Sequence, residues 1–168
     1  MASASSSACS SAAAAAAFTS AERIVAGMPA VAFSAAAAAA SPTCALTTVG
    51  AIQCWGSDEY DQMSNAPTGT GYTAISAGNH FTCAIASNGS LECWGRNDHG
   101  QLAYAGSSAF QSISAGGDHG CGLTTSGSIE CWGRDDHGQS NPPTGTFLMV
   151  AAAGGDTCAM DSSQQIEC

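Results

Sequence analysis

From Cys44 to Cys168 the apolar positions come in pairs that mirror each other across short polar centres. In "TCALTTVGAIQC", Leu46 and Ile52 stand two residues inside Cys44 and Cys54. Ile85 and Leu91 stand likewise inside Cys83 and Cys93, Leu123 and Ile129 inside Cys121 and Cys131, and Met160 and Ile166 inside Cys158 and Cys168. The positions between are small or polar: Ala45 with Gln53, Ala84 with Glu92, Gly122 with Glu130, Ala159 with Glu167. Residues two apart share one face of a strand, and apolar pairs opposite each other stabilise two antiparallel strands. The pattern therefore predicts four β-hairpins, with turns centred on Val49, Asn88, Ser126 and Ser163. An odd-length loop of this kind needs a left-handed residue at its end, usually glycine. Gly50, Gly89 and Gly127 stand one place past the centre, whereas the fourth copy has Gln164 there and is expected to be the weakest turn.

The hairpins belong to a larger unit. The first cysteines, Cys44, Cys83, Cys121 and Cys158, are spaced by 39, 38 and 37 residues, and a fixed period of this length signals stacked repeats. A further strand precedes the hairpins in "YTAISAG", "FQSISAG" and "FLMVAAAG". Trp55, Trp94 and Trp132 follow the second cysteine, each before a glycine, and lead into the polar loops "SDEYDQ", "RNDHGQ" and "RDDHGQ". Three strands and a long loop cannot bury their faces alone and must stack on neighbours. The predicted fold is all-β, with repeats at about 44–82, 83–120, 121–157 and a truncated 158–168. Residues 1–43, about two thirds Ala and Ser, read as a low-complexity, largely irregular leader or linker, helical at most in its two six-alanine runs.

Eight of the nine cysteines fall into the hairpin pairs, and Cys9 is left over. Opposed hairpin positions bring Cα atoms to about 4.5–5.5 Å, which overlaps disulfide geometry. The pairs Cys44 with Cys54, Cys83 with Cys93, Cys121 with Cys131 and Cys158 with Cys168 are thus read as disulfides. Reduced, buried thiols acting as small apolar residues are the other reading. The short paired spacings of zinc sites do not occur. Disulfides imply an oxidising compartment, extracellular or cell-surface, and reduced thiols a cytoplasmic one. Asn88-Gly89-Ser90 is a glycosylation sequon.

Arg23 followed by "IVAGMPAVAFSAAAAAA" has the order of a secretory signal, although Glu22 sits beside it and the apolar stretch is mostly alanine. "RIVAG" also reads as a displaced copy of the "AISAG" strand. The stretch is too short and too weakly apolar to span a membrane. Charge narrows the partners further. Thirteen acidic residues oppose Arg23, Arg96 and Arg134, with no lysine, for a net charge of −10. Such an acidic chain has no electrostatic footprint for nucleic acid or for anionic membranes.

"ISAGNHFTCAIASNGSLECWGRNDHGQL" resembles the repeat of the regulator of chromosome condensation family, in the short three-stranded form of β-lactamase inhibitor protein II. The carrying residues are the Ile-Ser-Ala-Gly strand end, Cys-Ala-Ile, Asn88-Gly89, Trp94-Gly95 and Asn97 to Gln101. The resemblance implies a β-propeller, usually of seven blades. Four units make only a partial propeller, whose open ends invite self-association. Cysteine pairing in every unit resembles the secreted and cell-surface branches of that family, plant receptor-kinase ectodomains among them. Family precedents also include exchange factors for small GTPases and enzyme inhibitors.

For chemistry the sequence offers little. Asp98-His99 and Asp136-His137 are candidate metal or acid/base pairs, but equivalent repeat positions project apart, and turn residues satisfying local backbone are the plainer reading. His80 and His119 are read as equivalent positions before the first hairpin cysteine. Glu92, Glu130 and Glu167 read as a solvated strand edge. No nucleophile setting or phosphate-cradling loop occurs. The chain is read as a noncatalytic protein-interaction module without cofactor or metal. Its candidate contact residues are Asp58, Tyr60, Arg96, Asp98, His99, Tyr104, Arg134, Asp136 and His137. A multivalent carbohydrate-binding or adhesive surface built on exposed tryptophans, or a guanine-nucleotide-exchange regulator, are the alternatives.

Overall fold

The computed structural model describes residues 33–38 and 43–168. The signal-like order around Arg23, the strand reading of "RIVAG" and Cys9 lie outside the described residues. Twelve strands form four antiparallel sheets of three, each in simple up-down-up order. The first holds β1 (Phe33–Ala38), β2 (Thr43–Thr47) and β3 (Ile52–Trp55), and the second β4 (Tyr72–Ala77), β5 (Phe81–Ala86) and β6 (Leu91–Gly95). The third holds β7 (Phe110–Ala115), β8 (His119–Thr124) and β9 (Ile129–Gly133), and the fourth β10 (Phe147–Ala153), β11 (Asp156–Asp161) and β12 (Ile166–Glu167). These are four propeller-type blades, and among the described residues no sheet closes on itself.

The hairpin register agrees with the sequence pattern residue by residue. Cys44 opposes Cys54 and Leu46 opposes Ile52; the next two blades repeat this, and Met160 opposes Ile166 in the fourth. Gly50, Gly89 and Gly127 have φ of 76°, 84° and 87°, and Gln164 is forced to 63° at the same position. All four cysteine pairs are disulfides with Cα atoms 4.1 Å apart.

The leader differs from its expected helical or irregular state where it is described. Ala35–Ala38, from the second six-alanine run, lie in β1 and pair with Leu46 to Thr43. Alanine gains only tenths of a kcal/mol from helix over most other residues. A strand-pairing site left open by β2 outweighs that preference. Phe33 then stands where Tyr72, Phe110 and Phe147 stand in the other blades, each one residue before a break in register. A blade therefore begins with the strand upstream of its hairpin.

The core lies between blades rather than within them. Cys44 of the first blade packs with Ala84 and Trp94 of the second. Phe81, Cys83 and Ile85 pack with Phe110 and Trp132 of the third, and Cys121, Leu123 and Ile129 with Phe147 and Ala159 of the fourth. Small residues on the opposite face leave room for what packs there: Ala84 meets Cys44 of the preceding blade, and a Cβ on Gly122 would collide with the Phe110 ring of its own blade. Main-chain bonds repeat the stacking at each step. The nitrogens of Tyr72, Phe110 and Phe147 donate to the oxygens of Gly50, Gly89 and Gly127 in the preceding blade's turn.

Candidate functional site

The polar loops after each Trp-Gly are fixed by one glutamine apiece. Gln62 and Gln101 are fully buried and Gln139 nearly so. Each side-chain oxygen accepts from the backbone N–H two residues earlier: Tyr60 at 2.7 Å, His99 at 2.8 Å, His137 at 2.8 Å. Each main-chain oxygen accepts from the next blade. The Trp94 indole reaches Gln62 and the Trp132 indole reaches Gln101, both at 2.8 Å. The Thr157 hydroxyl reaches Gln139 at 2.9 Å. A buried oxygen that meets its donor only when the next blade is docked makes the loop a part of the seam. The glutamines recur eight residues after the second cysteine of the first three hairpins, a signal present in the sequence but absent from the candidate residues.

A second side chain closes each turn. Asp58 accepts from the amides of Met63 and Ser64, Asn97 from Leu102, and Asp135 from Ser140. The two amide bonds hold the Asp58 carboxyl below the usual carboxylate range. Asp58 thus serves its own loop.

With the loop frames satisfied, their remaining polar side chains form a strip of contacts within and between adjacent loops. Arg96 donates to Asp98 at 2.6 Å and lies over the Tyr60 ring, 5.3 Å from its centroid. Tyr60 in turn contacts the His80 ring at 5.0 Å. In the next step Arg134 donates to Asp136 at 2.6 Å and approaches Asp118 at 3.8 Å. The bond from Asp98 raises the Arg96 guanidinium further, and the bond from Arg134 holds the Asp136 carboxyl low. His137 and, from the preceding loop, His99 add to that lowering, so adjacent loops sense each other. Seven of the nine sequence candidates, Tyr60, Arg96, Asp98, His99, Arg134, Asp136 and His137, fall in this strip.

Tyr104 belongs elsewhere. Its ring packs on Phe110 and Trp132, and its hydroxyl donates to Glu130 at 2.6 Å, which makes it a part of the seam between the second and third blades. Glu130 is half-buried and also accepts from Ser108, whereas Glu92 and Glu167 are exposed as a solvated edge predicts, Glu92 accepting from Tyr72 as well. Trp94 and Trp132 are 4% and 7% exposed, whereas Trp55 is half-exposed. His80 and His119 are not equivalent. Phe81 opposes Gly95 and His119 opposes Gly133, so the partner of His119 in the repeat is Phe81. Asn88 is exposed at its hairpin tip, where its side-chain oxygen accepts from both the amide and the hydroxyl of Ser90. Among the described residues no three His, Cys, Asp or Glu side chains converge as a metal site, and no helix is long and apolar enough to cross a membrane.

Several solved structures share this arrangement. The ectodomain of the receptor kinase CR4 from Physcomitrella patens aligns with a TM-score of 0.65 at 29% identity, over 77% of this chain and 38% of that one. The ectodomain of the Arabidopsis thaliana receptor kinase ACR4 gives 0.68 at 24%, over 77% and 47%. Prp20p of Saccharomyces cerevisiae, described with its binding to Gsp1p and histones, gives 0.70 at 16%, over 80% and 44%. The chain thus spans well under two thirds of each, and at the lower identities the likeness is one of fold. No curated protein matches by sequence. Residues 72–101 and 110–139 match the regulator of chromosome condensation (RCC1) repeat, so the second and third blades are repeats of that family and the first and fourth share their three-stranded form.

Proposed function

We propose that the chain is a noncatalytic protein-interaction module that works outside the cytosol and binds its partner through the strip of loop side chains. The observation that carries this is the division of labour in the loops. Buried glutamines and the Asp58, Asn97 and Asp135 caps satisfy the backbone, which leaves Arg96, Asp98, His99, Arg134, Asp136 and His137 on a preformed frame. A preformed frame loses little entropy on binding, and loop tips on rigid scaffolds are where recognition residues concentrate. Four disulfides and the likeness to a receptor-kinase ectodomain support the compartment. In that setting Asn88 is the residue to carry a glycan.

The carbohydrate reading is weaker, because Trp94 and Trp132 are occupied in the seams. The exchange-factor reading rests on a 16% identical neighbour whose likeness supports the fold alone. Self-association through the fourth blade is favoured by the exposed Met149 and Ile166, since the residues at the place of Ile166 are half-buried in the first two blades (Ile52, Leu91) and buried in the third (Ile129).

The test is affinity capture from the extracellular and, separately, the cytosolic fraction of the source organism with the disulfide-intact chain, beside an Arg96→Ala/Arg134→Ala double variant. A protein retained by the parent and lost by the variant supports the strip. Equal retention by both overturns it, and retention of a small GTPase replaces this reading with the exchange-factor one.

A further inference from the structure

The seam between the third and fourth blades differs from its predecessor at one buried position. In the second blade Phe81 fills the start of the hairpin strand and packs into an apolar cluster with Phe110 and Trp132. In the third blade the same place holds His119, fully buried. Its Nε2 lies 2.8 Å from the Thr157 hydroxyl of the fourth blade, and Thr157 donates its own proton to the Gln139 oxygen at 2.9 Å. With that proton committed, Thr157 accepts from His119, which fixes the Nε2–H tautomer. Nδ1 is then a bare lone pair, buried without a partner and pressed against Gly116.

We propose that His119 makes the seam between the third and fourth blades acid-labile, so that mild acid releases the fourth blade while the first three remain stacked. Protonation must occur at Nδ1, where no acceptor waits, and a buried charge without a partner is costly. Burial accordingly pushes the imidazole below its ordinary value. The carboxylates facing it, Asp118 on its own strand's approach, Asp156 on β11 and Asp135 on the loop after β9, oppose this and are outweighed. Asp118 is itself engaged by Arg134 at 3.8 Å and by Gln101 at 3.5 Å.

The sign follows from proton counting. The opened state binds a proton near the usual histidine pKa of about 6.5, and the docked state binds it only at lower pH. Docking is therefore complete above about pH 6.5 and weakens below it, by at most about tenfold in the opening constant per pH unit for one proton. The seam between the second and third blades, with Phe81 and Gly120 at the corresponding places, has no such step.

Hydrogen exchange by mass spectrometry at pH 7.5, 6.5 and 5.5, corrected for intrinsic rates, tests this on the full chain with disulfides intact. The expected result is faster exchange on acidification in peptides of β10 and β11 and flat protection in β4 to β6. The His119→Phe variant, which copies Phe81, is expected to remove the acid step. Acid lability spread evenly over all blades, or an acid step that survives in His119→Phe, overturns the proposal. Should that variant fail to fold, the His119 ring titrated by NMR in the parent decides: a midpoint at or above 6.5 overturns it, and one clearly below supports it.

Discussion

The indole nitrogen of Trp132 donates to the main-chain oxygen of Gln101 at 2.8 Å, across the boundary between two blades. Trp94 and Gln62 repeat the bond one step earlier. Replacing Trp132 with Phe keeps an aromatic ring but leaves a buried carbonyl without its donor. Such a loss costs about 1–3 kcal/mol. Urea unfolding of Trp132→Phe is expected to show a lower midpoint by that amount, and a change below about 0.5 kcal/mol would mean that packing alone holds the seam.

The fourth turn should be improvable by one substitution. Gln164 holds a φ of 63° at the place where the other turns have glycine, and its side chain is exposed. A residue with a Cβ is strained in this region by roughly 1 kcal/mol, and glycine is not. Gln164→Gly is expected to stabilise the hairpin, offset partly by the greater freedom of glycine in the unfolded chain. The reverse change, Gly127→Ala, is expected to destabilise, since its Cβ would also meet the Thr146 methyl at 2.7 Å. Thermal unfolding of both variants gives the two signs.

Tyr72 carries an alkaline signature. Burial, and then the bond to Glu92 at 2.8 Å, push its phenol up to about 12 from an ordinary value of 10. A raised value in the folded state means stability that is present below pH 10 and lost as pH climbs from there toward 12. Burial and the bond to Glu130 raise Tyr104 as well, so absorbance at 295 nm should show late-ionising tyrosines whose amplitude falls by one residue in Tyr72→Phe. Glu92→Gln should bring the late ionisation earlier without removing it, since burial is the larger cause.

The hairpins were legible because two independent regularities, the cysteine spacing and the two-residue apolar alternation, fix the same register. The glycines then locate the turns. The first strand was not legible, because an alanine run has no side-chain pattern and takes its state from β2, the partner it pairs with. The strip was legible only as a set of loop residues. That Tyr104 leaves it depends on Glu130 and Phe110, which lie 26 and six residues away and meet it only after stacking. The likeness of His80 and His119 was misleading for a related reason: both precede a cysteine, but by three and two residues, and a one-residue difference turns a side chain to the other face. The role of the glutamines was not legible, because a recurrent polar residue in a loop is usually solvated and only the stacked blades bury it.

The four disulfides should not be equally reducible. Cys44, Cys83 and Cys121 are buried in the seams, whereas Cys168 lies exposed on the outer face of the fourth blade and Cys158 is only half-buried. Thiol exchange needs a thiolate to reach a sulfur in line, so access sets the order. Dilute reductant under native conditions is expected to open Cys158–Cys168 first. Alkylation and peptide mapping would then place two labels there, beyond any on Cys9, while the other three pairs stay closed until the chain unfolds. Losing that one cross-link removes roughly 2–3 kcal/mol of constraint on a short loop, at the turn already burdened by Gln164. The fourth hairpin should then exchange its amides faster than the other three, with the seam between the second and third blades unchanged. Simultaneous reduction of all four pairs at the same reductant concentration would instead mean that the blades open together as one cooperative unit.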